Sequence, residues 1–265
     1  TLTLAAALAL AQGQHPVRQE LVDYIRSHAT SWTPRAVSEN PMTRFTLEEL
    51  VHMLGDESAG DLNGMNIFYN KRMGLPDSFD SREAWGSCVH PIRNQESCGS
   101  CWSFGSTEAL SDRFCVASDG AVDVVLSPQD LVSCNKQNSG CGGGNIQYTW
   151  DYLEKYGAVS DACMPYTSGD GDVAQCQLSC TVEGEEWSKY KCVSGSVYVA
   201  KTYDDIKSYL MEGPLDVNFK VYEDFYNYDS GVYVHTTGSY LGGHAVKLVG
   251  WGVDDSGLEY WTIAN

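Results

Sequence analysis

Apolar side chains recur at helical spacing in two stretches near the start of the chain. The first stretch places four of them on one helical face: Val17, Leu21, Tyr24 and Ile25. The second begins with Thr46 and Glu49, which have the spacing of a capping box, and Gly55 stands where a helix would end. Short amphipathic helices are stabilised mainly by packing, so both are predicted to lie against a partner surface.

The later part of the chain changes from helical to strand periodicity. Ser127 and Pro128 are typical of a helix start, and Gly157 stands where another helix would end. Alternation of apolar and polar residues dominates the end of the chain. These patterns predict an α+β fold with a helical lobe at about 82–185, a sheet lobe at about 186–265 and a cleft between them.

A hairpin is predicted close to the last residue. The turn-like run 252–257, centred between Asp254 and Asp255, places His244 opposite Asn265 on the neighbouring strand. A register error of two residues still leaves both side chains on one face of the sheet. The amide of Asn265 is therefore a candidate to orient the imidazole of His244.

Charge and cysteine content narrow the class of protein. The 265 residues carry 17 Lys and Arg against 35 Asp and Glu, so nucleic-acid binding is disfavoured. The apolar run 1–11 is shorter than the roughly 20 residues of a membrane span. It ends in a small-x-small pattern and is interpreted as a signal-peptide remnant rather than a buried helix, with no membrane partner. Ten cysteines favour disulfides formed in the secretory pathway.

A boundary is predicted at Leu75. Segment 12–74 has no cysteine and carries 6 basic and 8 acidic residues, whereas 75–265 carries 11 and 27. The acidity therefore belongs to the second part, which also contains all the cysteines.

Segment 94–104 carries the most informative chemistry. Cys101 precedes a helix-like stretch, and a helix N-terminus favours the thiolate, which is the nucleophilic form of cysteine. A helix end alone is too weak to ionise a thiol in acid, so a cationic neighbour is required, and His244 is the candidate. The spacing of Cys98 and Cys101 also matches a redox dithiol or half a zinc site, but the strand and further ligands that these need are not visible.

These residues resemble the papain-like cysteine peptidases, and within them the cathepsin B group. The resemblance spans nearly the whole chain and rests on the motifs 95–104, 139–144, 242–245, 250–252 and 260–265. It implies a papain-like two-lobe fold with a helical left lobe, an antiparallel barrel-like right lobe and the active-site cleft between them. It also implies a prosegment at 12–74 and a mature peptidase at 75–265, which is expected to be C-terminally incomplete.

Roles follow from the resemblance position by position. It implies that Cys101 is the nucleophile, that His244 is its ion-pair partner and general acid, and that Asn265 orients the imidazole. Gln95 and the backbone N–H of Cys101 would stabilise the developing oxyanion. The glycines implied to bind an extended peptide substrate are Gly143, Gly144 and Gly243.

The resemblance also implies how the cysteines pair. The expected disulfides are Cys88 with Cys115, Cys98 with Cys141, Cys134 with Cys176, and Cys163 with Cys180. Cys192 would then be left over beside the nucleophile.

The implied activity is hydrolysis of peptide bonds in peptides and proteins through an acyl-enzyme, without a metal ion or organic cofactor. Cathepsin B removes dipeptides with the help of an inserted loop that carries two adjacent histidines. The matching segment 163–180 contains no histidine, so an endopeptidase is expected. The alternative is a catalytically silent secreted homologue that acts as a binding protein. An acyl transferase with the same triad would differ only in the group that accepts the acyl chain.

The prosegment is expected to inhibit the enzyme by running through the cleft in the direction opposite to substrate, and to be removed in acid. Carboxylates paired with its arginines would lose their charge there. The arginines considered are Arg18, Arg26, Arg35 and Arg44. A monomer of the secretory pathway is expected, in a lysosome, an acidic digestive vacuole or outside the cell. Protein inhibitors of papain-like enzymes are candidate partners.

Overall fold

The computed structural model describes residues 13–58, 65–68 and 74–265. The signal-peptide remnant predicted at 1–11 lies outside these residues. The helices are α1 (Gln19–His28), α2 (Leu47–His52), α3 (Ser81–Trp85), α4 (Cys101–Ala117), α5 (Pro128–Cys134), α6 (Ile146–Lys155) and α7 (Tyr203–Leu210). The strands are β1 (Trp32–Pro34), β2 (Asn66–Ile67), β3 (Phe79–Asp80), β4 (Tyr198–Val199), β5 (Leu215–Tyr222), β6 (Tyr228–Gly231), β7 (Tyr240–Val253) and β8 (Glu259–Ala264).

The chain divides into two compact units. Of the described residues, the first comprises 13–52 with 220–242, and the second comprises 53–58, 65–68 and 74–219 with 243–265. None of the described helices is both long and apolar enough to cross a bilayer.

The first unit is built around Trp32. Its indole packs with Leu21 and Ile25 of α1 and lies edge-on to the ring of Tyr233, with centroids 5.2 Å apart. Its Nε1 donates to the carbonyl oxygen of Val234 at 3.0 Å, and β1 pairs antiparallel with β6. The N-terminal segment therefore does bury its apolar face against a partner surface, which residues 223–237 provide.

One residue predicted on that buried face lies outside it. Tyr24 is 45 % exposed and stacks on His28, one helical turn along α1. Val22 is buried in its place, because the face of α1 that meets its partner is rotated by one position from the predicted one.

The second predicted helix begins as expected and ends early. Glu49 N–H bonds the hydroxyl of Thr46, and the carboxylate of Glu49 accepts from Thr46 N–H at 2.6 Å, which is the predicted capping box. Helix α2 nevertheless ends at His52 rather than at Gly55. The chain becomes extended there because residues 55–57 pair with the backbone at Gly144 and Gly243.

The core of the second unit surrounds α4. Trp102 is fully buried and donates through Nε1 to the carbonyl oxygen of Gly140, so it is a core residue. The side chains that pack around it come from α4, α5, α6 and the loops beside them: Leu110, Leu126, Leu131, Val132 and Leu153. Ser127 caps α5 through its hydroxyl, and Gly157 follows α6 with a φ of 73°, both as predicted.

The sheet of the second unit has the order β3-β7-β5, with β8 also paired to β7. Helices and strands are both present, so the α+β prediction is confirmed. The four described strands form an open sheet rather than a closed barrel. Strand β7 is the long central element of this sheet, and it carries His244.

The predicted hairpin exists, but its register differs. Val253 pairs with Glu259, so the connection is longer than predicted, because the Asp254 carboxylate accepts from Ser256 N–H and Leu258 N–H and widens the turn. A bulge between Leu248 and Gly250 then shifts the register by one residue. The resulting offset of two residues keeps His244 and Asn265 on one face.

Candidate active site

Cys101 is the first residue of α4, at the positive end of the dipole of a 17-residue helix. Its side chain is 1 % exposed and forms no disulfide. Cys98 is bonded to Cys141 instead. The two cysteines of the C-x-x-C spacing are therefore not a redox dithiol or a zinc pair, and that alternative is wrong.

Four disulfides hold the loops around this helix. They join Cys88 to Cys115, Cys98 to Cys141, Cys134 to Cys176, and Cys163 to Cys180. These are the four pairings that the resemblance implied, and Cys192 keeps a free thiol. The Cys98–Cys141 bond ties the segment that leads into α4 to the glycine run 142–144.

His244 and Asn265 are joined by a short hydrogen bond. Nε2 of His244 lies 2.5 Å from Oδ1 of Asn265, and an amide oxygen only accepts, so Nε2 carries the proton. Nδ1 is buried and has no hydrogen-bond partner among the described residues. The ring edge of Phe219 contacts the imidazole from β5. Nδ1 is therefore the nitrogen left to exchange a proton.

Ala245, which follows His244 in β7, lies against the thiol of Cys101. Cys101, Ile146 and Ala245 pack as one cluster, and the backbone N–H of Ala245 donates to the thiol. Burial raises the pKa of Cys101 to about 12 against that hydrogen bond. Burial also lowers the pKa of His244, against its bond to Asn265. Burial therefore shifts both groups toward their neutral forms while the thiol is covered.

Residues 53–58, which we call the cleft segment, lie extended between two glycine-bearing strands of backbone. Gly144 N–H donates to the carbonyl oxygen of Gly55 at 2.8 Å, and the Gly144 oxygen accepts from Glu57 N–H at 2.9 Å. A Cβ atom on Gly143 would lie 3.1 Å from the same Gly55 oxygen. Gly143 and Gly144 therefore form a wall that accepts extended backbone.

Gly243 forms the opposite wall. Its carbonyl oxygen accepts from Asp56 N–H at 3.2 Å, and a Cβ atom on Gly243 would lie 2.5 Å from the carbonyl oxygen of Asp56. The Asp56 carboxylate accepts from the Ser58 hydroxyl at 2.6 Å, and this hydroxyl accepts from Ile146 N–H at 2.9 Å. The cleft segment is thus fixed to the start of α6 as well as to both walls.

Gln95 binds the cleft segment with its side-chain amide. Nε2 donates to the carbonyl oxygen of Cys98 at 2.8 Å and to that of Met53 at 2.9 Å. The first bond fixes the amide relative to the start of α4. The second bond shows that Nε2 can donate to a carbonyl oxygen of a segment lying over the thiol, as a donor of an oxyanion site must.

The cleft segment covers the thiol without offering it a reactive group. Gly55 directs its backbone N–H at the Cys101 thiol, whereas a bond to be cleaved must present a carbonyl carbon. The cleft segment thereby excludes water and substrate from the thiol.

Two residues beside the thiol escaped the sequence analysis. Nε1 of Trp150 donates to Oδ2 of Asp216 at 2.9 Å, while Oδ1 of Asp216 is buried and unpartnered among the described residues. Burial raises the pKa of Asp216 well above its ordinary value. No signal in the sequence distinguished Asp216, which occupies a polar position of the alternation in β5, as Asn218 and Lys220 do. Its carboxylate lies next to Gly105 of α4.

Comparison with known proteins places the chain among peptidases. The family model described as "Papain family cysteine protease" matches residues 75–265. "Cathepsin B-like cysteine proteinase 6" of Caenorhabditis elegans is 37 % identical over 286 residues, which cover 93 % of this chain and 74 % of the relative. "Cathepsin B-like CP3" of Giardia intestinalis is 41 % identical over 191 residues, which cover 72 % of this chain and 64 % of the relative.

Solved structures give the same fold. The structure described as "proCathepsin B S9 from Trypanosoma congolense" superposes with a TM-score of 0.86 at 31 % identity, covering 95 % of this chain and 88 % of that one. The proform of the ragweed allergen Amb a 11 superposes with a TM-score of 0.71 at 22 % identity, covering 92 % and 74 %, which supports the fold alone. The predicted papain-like fold is therefore confirmed.

Proposed function

Because the chain belongs to the papain family of cysteine proteases, in its cathepsin B-like group, we propose that it is a cysteine endopeptidase made as an inactive precursor. Cys101 is the nucleophile, His244 the proton carrier and Asn265 the residue that orients the imidazole. One observation carries the proposal: His244 Nε2 meets Asn265 at 2.5 Å, beside a buried free thiol at the start of α4.

Departure of the cleft segment prepares the thiol for attack. Burial is the largest cause of the raised pKa of Cys101, and the negative charge of Asp56 raises it further. When the segment leaves, water enters and that charge is removed, so the pKa of the thiol falls. Its proton passes to Nδ1 of His244, which gives the thiolate and the imidazolium.

The reaction then proceeds through an acyl-enzyme. The thiolate of Cys101 attacks the peptide carbonyl carbon and forms a C–S bond, while the carbonyl oxygen takes the charge and accepts from Gln95 Nε2 and Cys101 N–H. Nδ1–H of His244 protonates the amine as the C–N bond breaks. A water molecule then gives a proton to Nδ1 and its hydroxide to the acyl carbon, and the C–S bond breaks, which releases the carboxylic acid and regenerates the thiolate and the imidazolium.

Peptide substrates bind as the cleft segment does, by backbone pairing with Gly144 and Gly243. The cleft segment runs parallel to the backbone at Gly144 and antiparallel to that at Gly243. We propose that substrate runs the opposite way, which brings a carbonyl carbon rather than an N–H to Cys101. Segment 12–74 is thus an inhibitory prosegment, and 75–265 is the mature enzyme.

The preference for internal bonds follows from segment 163–180. A dipeptide-removing enzyme must bind the free carboxylate of its substrate, which requires positive charge or N–H donors. This segment contains no Lys, Arg or His but does contain Asp170 and Asp172. It therefore repels a terminal carboxylate and disfavours removal of C-terminal dipeptides. The four disulfides favour an oxidising location, such as a lysosome or the cell exterior.

Acid activation of the purified complete precursor tests the proposal. Incubation at about pH 4.5 is expected to remove the prosegment and to yield hydrolysis of internally quenched peptides, and Cys101→Ser is expected to abolish both. Faster release of C-terminal dipeptides than of internal fragments would overturn the endopeptidase assignment. A protein that neither cleaves peptides nor reacts with a peptidyl epoxide would instead be the silent binding homologue.

A further inference from the structure

One face of α4 lies along the part of β7 that follows His244. The face consists of Cys101, Gly105, Glu108 and Asp112, spaced by four, three and four residues. Cys101 packs against Ala245, and a Cβ atom on Gly105 would lie 3.2 Å from the backbone nitrogen of Val246. Helix and strand therefore approach at backbone distance next to the catalytic pair.

Lys247 lies at the far end of this contact between α4 and β7, and its charged ammonium group is buried. Its side chain is fully buried, and Nζ donates to Oδ2 of Asp112 at 2.8 Å and to the carbonyl oxygen of His90 at 3.1 Å. Oε2 of Glu108 lies 3.9 Å away. A buried ammonium is costly unless it is paired, so this geometry holds β7 to α4 directionally.

Asp112 is itself fixed from the other side. Its carboxylate is fully buried, and Oδ1 accepts from the backbone N–H of His90 at 3.0 Å and from Nδ1 of the same residue at 2.7 Å. Nε2 of His90 lies 2.8 Å from Asp123. The partner of Lys247 therefore has little freedom to follow it.

We propose that Lys247 is a positioning residue for the catalytic pair, and this inference rests on the roles proposed above for Cys101 and His244. By joining β7 to Asp112 it sets how far the strand lies along the helix, and with it where the imidazole stands relative to the thiol. Apolar packing at Ala245 is not directional, so it leaves this displacement less restrained. A misplacement of about 1 Å lowers catalysis by about a hundredfold.

The test measures the reactivity of Cys101 in the acid-activated enzyme made from the complete precursor. Iodoacetamide alkylation is followed from pH 4 to 9 in a Cys192→Ser background, so that the remaining free thiol is Cys101. Lys247→Met is expected to lower the alkylation rate constant at pH 6 about tenfold or more and to raise the apparent pKa of the thiol. Lys247→Arg, which keeps the ion pair, is expected to restore the rate to within about threefold.

Position and charge are separated by a second variant. If Lys247 acted through its charge, Lys247→Met would raise the apparent pKa of the thiol and Asp112→Asn would lower it. If it acts through position, both variants weaken the contact and raise the apparent pKa. Shifts of opposite sign would overturn the proposal.

Lys189→Met is the matched control. Lys189 pairs with the fully buried Asp130 at 2.5 Å, and that carboxylate also bonds Val159 and Tyr152 rather than the catalytic residues. This variant is expected to lower stability while leaving the pH profile of alkylation unchanged. An equal shift of the profile in Lys189→Met would reduce the effect of Lys247 to general destabilisation and overturn the proposal.

Loss of one partner leaves a buried charge unpaired and can unfold the protein, so a double variant decides that case. Lys247→Met with Asp112→Leu removes both charges and is expected to fold, because paired buried ions are often replaceable by apolar residues. A folded double variant with wild-type reactivity overturns the proposal. A wild-type thiol that reacts no faster than free cysteine overturns the proposed function instead.

Discussion

Gly55 lies so close to Gly99 that a Cβ atom on Gly55 would overlap the carbonyl oxygen of Gly99. The obstacle is backbone just ahead of α4, which the Cys98–Cys141 disulfide holds in place. The cleft segment therefore passes its narrowest point at a residue without a side chain, directly over the thiol. We therefore expect inhibition by the prosegment to depend on this one glycine as well as on the pairing to either side.

Gly55→Ala is expected to weaken that inhibition. The methyl group has no space, so the strand must move out and lose the 2.8 Å bond between Gly144 N–H and the Gly55 oxygen. Loss of about 1–3 kcal/mol of contact corresponds to a rise of about fivefold to 150-fold in the peptidase activity of the intact precursor at pH 7. The measurement is hydrolysis of a fluorogenic peptide before any acid treatment.

Ser38→Ala serves as the control, since Ser38 is exposed in the first unit and the same residue is introduced. It should leave the activity of the precursor unchanged. A Gly55→Ala precursor without increased peptidase activity would show that the cleft segment can shift without uncovering the thiol.

The arginines of the prosegment differ in what they bind. Arg18 pairs with Glu223 at 2.9 Å, and both side chains are largely buried, whereas Arg26 pairs with Asp23 of its own helix. Arg35 pairs with Asp229, and Arg44 lies over the ring of Phe45. Of the four arginines considered from the sequence, Arg18 and Arg35 therefore link the prosegment to 75–265.

Arg18→Gln should allow the prosegment to leave at higher pH than in the wild type. The variant loses a partly buried ion pair worth about 1 kcal/mol, while Arg26→Gln loses an exposed pair inside α1 and should behave as wild type. The pH at which half of the precursor is processed in one hour distinguishes them. Equal midpoints for the two variants would mean that ion pairs of the prosegment do not set the activation pH.

The sequence predicted the positions of Cys101, His244 and Asn265 better than their surroundings. Cys101 could be placed at a helix start because the stretch that follows it is helix-like, and helical periodicity depends on near neighbours in sequence. The contact between His244 and Asn265 also followed from the hairpin, although the wider turn and the bulge altered the register. The two-residue period of a strand tolerates this error in register, because a shift of two residues leaves each side chain on the same face of the sheet.

Burial and long-range pairing were not predictable in the same way. The path of the cleft segment depends on backbone bonds to Gly144 and Gly243, which lie far along the chain. Burial by that segment raises the pKa of Cys101, an effect that the position of the thiol at a helix start did not predict. Lys247 gave a weak signal as a charged residue in an apolar strand, but its partner Asp112 is known only from the fold.

Asn265→Ala should shift the pH dependence of catalysis as well as reduce it. The hydrogen bond from Asn265 raises the pKa of His244 against the effect of burial, so its loss lowers that pKa. Imidazolium is then lost at lower pH, and the alkaline limb of the kcat/KM profile should move to lower pH. Because the ring is also released, kcat/KM should fall about tenfold to a hundredfold at the optimum.

Asn265→Asp provides the comparison for that variant, since a carboxylate still accepts from Nε2 and its charge raises the pKa of the imidazole. Its alkaline limb should move to higher pH. If the alkaline limbs of Asn265→Ala and Asn265→Asp moved in the same direction, Asn265 would not act through the ionisation of His244.

Glu108 should make the precursor less stable as pH rises. Burial raises the pKa of Glu108 to about 7, above the value near 4.3 of an unfolded chain. Between these values the folded state holds a proton that the unfolded state has lost, so the contribution of Glu108 to stability is complete below pH 4 and is lost as pH rises through 7. Glu108→Gln removes this titration and should stabilise the precursor at pH 8 relative to pH 4, by at most about 3 kcal/mol.

Urea unfolding at both pH values measures the difference, in a Cys101→Ser background that prevents self-cleavage. The exposed Glu185→Gln should change neither value, and a Glu108→Gln precursor with an unaltered pH dependence would mean that the carboxyl is ionised in the folded protein at neutral pH.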